Sequence, residues 1–325
     1  MSSNRILSVD LVKIIAMYMV LMLHLGVHRD ICADYDYSTK PFLYAVSGVA
    51  IPLFFIVSGY LLANKDITMK YILKKVWGIV RFCFIICLLW NLYNLCRTGT
   101  FNWDFPLCFV QKGRFGHFWY LGAMLIMYVV MPGVFSALKK NSVVWLSILG
   151  VICFSVFVSD YIYGVEKRFT IQTFRIWYWL LYFSIGACIR YNPIVINLVK
   201  WWHVLLFMVL YVSSVQVFNT KGIEFHFGDP MCFLYSVTLF CFCLKKKDFK
   251  YGSIVCVLSQ CFLLIYALHE IILGMLVYHE PFVSIDEILP SWVDFFVEYI
   301  MSCLIISIIA VGIMKVPYSN KVFRI

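Results

Sequence analysis

The chain has 325 residues, 63% of them hydrophobic and 14% charged, with a formal net charge of +10 at pH 7. A water-soluble domain of this length would expose large apolar patches, so the composition excludes an ordinary soluble enzyme and points to a polytopic membrane protein. The positive balance reads as loop topology, because Lys and Arg gather in cytoplasmic loops; it does not call for a nucleic-acid partner.

Ten apolar runs follow one another, at roughly 7–28, 41–63, 76–96, 118–137, 142–159, 175–190, 198–217, 231–244, 253–277 and 292–314. A helix needs roughly 17–25 residues to cross the hydrocarbon core, and most runs approach that length. Lipid leaves no partner for an unpaired peptide group, and the runs lack the alternation of a barrel strand, so helices are expected. The expected fold is all-α: one membrane-embedded domain over 1–325, with about ten transmembrane helices and both termini cytoplasmic. With that drawing, sixteen Lys and Arg fall in inner segments and nine in outer ones. The clusters 65–75 and 245–250 lie on one side because six runs separate them.

The first run reads "LVKIIAMYMVLMLHLG" from Leu11 to Gly26 and holds Lys13 and His24. An ionisable group inside a spanning helix is costly and commonly marks a site. Eleven residues turn a helix by about 1100°, three turns plus about 20°, so the two share one face about 16 Å apart along the axis. Asp10, three residues before Lys13, is placed to pair with it. Snorkelling is the plain alternative for Lys13, and a core hydrogen bond for His24. His28 stands four residues after His24, as in a metal pair, but no carboxylate or cysteine set completes it, so no metal is expected. The second run contains "VSGY", Ser58–Gly59–Tyr60, and the third is entered through "KKVWGIVR", with Lys74, Lys75 and Arg81. His117 and Trp119 open the fourth run at the outer side, and His269 lies about two thirds of the way along the ninth, as His24 does in the first. The thirteen cysteines form no CxxC pair and read as small core hydrophobes.

Five blocks in order resemble the membrane-bound acyltransferase 3 family. "RILSVDLVKIIAMYMVLMLH" resembles its first helix, in which a basic residue precedes a histidine by eleven positions. "PLFFIVSGYLL", "GHFWYLGAMLIMYVVMP", "YFSIGACIRY" and "IYALHEIIL" are similar to its later elements. The family commonly carries paired arginines before the third span; this chain departs from that, with Gly78 where the second would stand. The resemblance implies transfer of an acyl group, usually acetyl, from acyl-CoA to a hydroxyl of a glycan or lipid-linked glycan precursor, by a multi-pass protein of the cell membrane, the inner membrane in a bacterium.

Residue chemistry gives each candidate a role under that implication. Coenzyme A is polyanionic, which suits Lys13, Lys75 and Arg81 as phosphate partners. His24 suits a general base that takes the acceptor's proton. His117, Trp119 and His269 are candidates for holding the acceptor. Asp10, Ser58, Gly59 and Tyr60 are expected to be structural or orienting, Ser58 through close helix packing rather than as a nucleophile. A transporter or flippase for a small polar solute would use the same buried groups, and dependence on acyl-CoA separates the two.

Overall fold

The computed structural model describes residues 6–32, 40–163, 170–219, 227–246, 249–277, 291–319 and 323. Among them all regular elements are helical, with no strand. In chain order these are α1 (Leu7–Cys32), α2 (Lys40–Gly48), α3 (Ala50–Leu62), α4 (Met69–Thr98), α5 (Trp119–Tyr163), α6 (Ile176–Tyr191), α7 (Ile194–Leu198), α8 (Trp201–Asn219), α9 (Pro230–Leu244), α10 (Gly252–Gln260), α11 (Phe262–Val277) and α12 (Ser291–Lys315). Short 3-10 turns precede α5 and α6.

Helical elements lie over all ten apolar runs, yet four of them, the second, fourth, fifth and ninth, are divided differently from the expected pattern. The second run is two helices, α2 and α3, meeting at Val49. The fourth and fifth runs form one element, α5, interrupted at Asn141 (φ −160°, ψ 92°). There the Asn141 side chain accepts from the Val144 N–H at 3.1 Å, an N-cap that restarts the helix after the polar stretch Lys139–Lys140–Asn141. The ninth run is α10 and α11, bent by 71° at Cys261. Among the described residues, three stretches are long and apolar enough to cross a membrane: Leu7–Gly26, Gly116–Tyr163 and Val293–Lys315. The bent α10–α11 pair makes a fourth if it is one span. The apolar stretches Val46–Leu62, Trp201–Val217 and Pro230–Leu244 are shorter than the roughly 17–25 residues of a typical crossing, or at its lower edge.

The chain divides into two compact units, Met1–Val57 with Asn192–Pro317, and Ser58–Tyr191 with Tyr318–Ile325. In the first, α1 is central and packs against α2, α9, α10, α11 and α12. Its residues are apolar almost all round, and Val9, Val12, Ala16, Met17, Val20 and Leu21 are buried, as suits a helix enclosed on several sides. Tyr18 ties α1 to α12, exchanging a 2.9 Å hydrogen bond with Ser307, while the Tyr299 hydroxyl donates to the Tyr18 carbonyl at 3.1 Å. Asp229 caps α9 by accepting from the Met231 N–H at 2.7 Å and also accepts from the Ser214 hydroxyl of α8. Pro230 follows at the first helical position, where a missing N–H costs nothing.

In the second unit α4 packs on α5, and α5 on α6. Thr68 starts α4 by accepting from the Tyr71 N–H at 3.2 Å, and Gly99, at φ +70°, ends it. That left-handed position favours glycine. The Trp145 indole of α5 donates to Ser184 of α6 at 3.0 Å. The "VSGY" stretch packs here. A Cβ on Gly59 would stand 1.9 Å from the Phe183 carbonyl oxygen, so only glycine lets α3 approach the α6 backbone this closely. Arg190 of α6 donates to the Tyr60 hydroxyl at 3.1 Å and lies 5.0 Å from its ring centroid.

Candidate functional site

Two groups of side chains tie the same face of α1 to the bent pair α10–α11. At the N-terminal end, buried Asp10 accepts from Lys13 Nζ at 3.3 Å, the expected i,i+3 pair, and from the Ser259 hydroxyl of α10 at 2.6 Å. Farther along, His24 Nδ1 meets Glu270 Oε1 of α11. Asp10 with Ser259 and His24 with Glu270 run in the same order along both elements, so α1 and the pair α10–α11 lie parallel. Lys13 and His24 sit on an unbroken helix, so the shared face and the axial separation of about 16 Å hold.

At the His24 end three ionisable groups converge. His24 and His269 meet ring edge to ring face, with centroids 4.7 Å apart and planes at 68°. His269 is fully buried, and its Nδ1 lies 2.6 Å from the Tyr266 carbonyl oxygen. A carbonyl only accepts, so this Nδ1 carries the proton and donates, and the lone pair of a neutral His269 is on Nε2. An ionised Glu270 also only accepts, so His24 donates through Nδ1 and its lone pair is on Nε2. The His24 and Glu270 side chains keep 29% and 19% of their exposure, so they are not sealed off. One potential metal-ligand atom from each of His24, His269 and Glu270 lies within 4.8 Å of the others.

Glu270 was not among the expected site residues. Adjacent residues on a helix point about 100° apart, so His269 and Glu270 do not face each other. His24 meets both, its ring packing against His269 and its Nδ1 meeting Glu270. A carboxylate within "LLIYALHEIILG" is itself costly in an apolar run and was a usable signal. The side chain of His28, which stands four residues after His24, lies outside the described residues.

The remaining expected residues lie in the second unit. Lys75 Nζ sits 5.8 Å from the Tyr71 ring centroid on α4. Seven residues turn a helix by about 700°, which puts Lys74, rather than Lys75, on the face of Arg81. Lys74 is exposed and Arg81 half-buried. His117 is buried against Phe118, with centroids 4.7 Å apart, and near Phe115. Trp119 lies against Trp179 of α6 at 5.4 Å. Tyr120 is hydrogen-bonded to Ser58.

Chemically, the His24 cluster is a polar island in an apolar unit: a histidine oriented through one ring nitrogen by a carboxylate, with a second histidine held by a backbone carbonyl. Such a set can orient and move a proton. No curated protein and no solved structure gives a match to this chain. A family model described as an acyltransferase domain matches residues 6–312, a stretch that contains every residue of the cluster. The chain belongs to the acyltransferase 3 family.

Proposed function

We propose that this acyltransferase is an integral membrane O-acyltransferase that moves an acyl group, acetyl being the first to test, from acyl-CoA to a hydroxyl of a glycan or lipid-linked glycan precursor. One observation carries the reading: His24 is held through Nδ1 by Glu270 and beside His269, an arrangement suited to a general base. Glu270 fixes the His24 tautomer with the lone pair on Nε2. Nε2 takes the proton of the acceptor hydroxyl as its oxygen attacks the thioester carbonyl. The tetrahedral intermediate collapses with cleavage of the C–S bond, and the resulting imidazolium returns its proton to the leaving thiolate. The products are the O-acyl ester and free coenzyme A, and His24 is regenerated. His269 orients the acceptor or a water beside His24, while His117 and Trp119 are proposed to hold the sugar.

The donor's phosphates are assigned to Lys13 and to the α4 cations Lys75 and Arg81, with Lys74 also a candidate because it shares the face of Arg81. Lys13→Ala is expected to weaken acyl-CoA binding at least several-fold without changing the yield of folded protein, and Lys13→Arg to retain much of the affinity. Equilibrium binding of acyl-CoA to the purified variants checks this. An unchanged affinity in Lys13→Ala would assign the lysine to its pair with Asp10 alone.

For the membrane arrangement we infer ten crossings in a cell membrane, with both termini cytoplasmic. The excess of Lys and Arg in inner segments supports this, as does the parallel course of α1 and α10–α11, which requires that both enter from one side. A reporter fused after Ile325 is expected to be active on the cytoplasmic side. Activity only on the opposite side would overturn the count. The function itself is tested by acyl-CoA turnover: purified protein with acetyl-CoA and a glycan acceptor should release free thiol in step with ester formation, and absence of both would refute it.

A further inference from the structure

We infer that His24, His269 and Glu270 form a binding site for one transition-metal cation of the Zn2+ type, and that its occupation switches transfer off. The switching-off rests on His24 being the base; the binding does not.

Three observations support the site. The first is the donor set: two imidazoles and one carboxylate are the protein ligands of one class of zinc centre, in which a fourth position stays open. The second is convergence: one ligand atom from each residue lies within 4.8 Å of the others. Bonds of about 2.0–2.1 Å to a tetrahedral ion place its ligand atoms roughly 3.3 Å apart, so side-chain movements of about 1–2 Å close the set. The third is the outer contact of His269. Its Nδ1 donates to the Tyr266 carbonyl at 2.6 Å, which fixes the ring and directs the Nε2 lone pair. That is the way metal-ligating histidines are commonly held. The residues come from two helices, α1 and α11, packed against each other within one compact unit.

The inhibitory consequence follows from the tautomer. As a base, His24 keeps its proton on Nδ1, toward Glu270, and its lone pair on Nε2. A cation between the two residues takes the Nδ1 lone pair and a Glu270 oxygen. The proton of a neutral imidazole must then sit on Nε2, where it removes the lone pair that the acceptor hydroxyl needs. Metal and catalytic tautomer therefore exclude each other.

The test uses full-length protein in detergent, stripped with chelator and titrated with Co2+ as a coloured probe, with transfer measured before and after Zn2+ addition. The expected result is one Co2+ per chain with tetrahedral visible bands and no thiolate charge-transfer band, which separates the site from the cysteines. Affinity should fall at least tenfold in both His269→Gln and Glu270→Gln, each first shown to elute and melt as the parent does. Zn2+ should displace Co2+ and abolish transfer over the same concentration range. Absence of Co2+ binding, or equal binding by both variants, would overturn the site. Binding that leaves transfer unchanged, or that transfer requires, would overturn the switching-off. The Co2+ spectrum needs no turnover, so a protein that binds Co2+ in this way yet transfers no acyl group would refute the proposed function and leave the site standing.

Discussion

His24→Gln is expected to lower acyl transfer by about 10²–10⁴-fold, the range typical of a general acid–base group. Glutamine keeps much of the size and hydrogen-bonding capacity of histidine but takes no proton at neutral pH. Glu270 can still accept a hydrogen bond from the amide, so the contact between α1 and α11 is retained. The loss should appear in kcat and not in acyl-CoA affinity, because the base acts on the acceptor. Single-turnover transfer and donor binding on the same preparation separate the two. A structural histidine would often tolerate this change, and near-normal turnover would move the role of base to His269. His269→Gln is expected to fall less steeply, because His269 is assigned to orienting the acceptor or a water and not to taking its proton.

Glu270→Gln should have an effect of comparable size, about 10²–10⁴-fold on kcat. Here the readout distinguishes positioning from packing. The amide is close to the carboxylate in size, so the helices keep their contact, but it no longer supplies a charge to stabilise the imidazolium. It can also donate to Nδ1, which would put the His24 proton on Nε2, the wrong nitrogen for a base. Donor affinity and thermal stability should stay close to those of the parent. Glu270→Asp, which keeps the charge on a shorter arm, should recover part of the rate. If Glu270→Gln loses stability in proportion to activity and Glu270→Asp gives no recovery, the carboxylate is a packing element.

Lys13 and His24 were legible because a period of eleven residues is close to three helical turns, and a lone sequence is enough to show a shared face. The Lys13–Asp10 pair was legible for the same local reason. The break at Asn141 was foreshadowed by Lys139–Lys140–Asn141, three polar residues between apolar runs. By contrast, the 71° bend at Cys261 has no glycine or proline at the break to announce it. Glu270 was missed because the contact that matters crosses between helices. Periodicity says which residues share a face, but not which face another helix will meet. The same limit applies to Gly59. Its sequence suggests close packing, but only the fold shows that the neighbour is the Phe183 carbonyl. On α4 the helical angle itself ranks the cations, setting Lys74 with Arg81, a distinction that counting basic residues leaves out.

O-acylation of a glycan with His24 as base is open to one direct test. The most direct measurement compares O-acetyl content of the surface glycans in otherwise identical cells carrying the parent chain, no chain, or His24→Gln at matched membrane levels. The predicted result is an ester present with the parent chain and lost to the same extent in the other two. Equal O-acetyl content in all three would contradict the account.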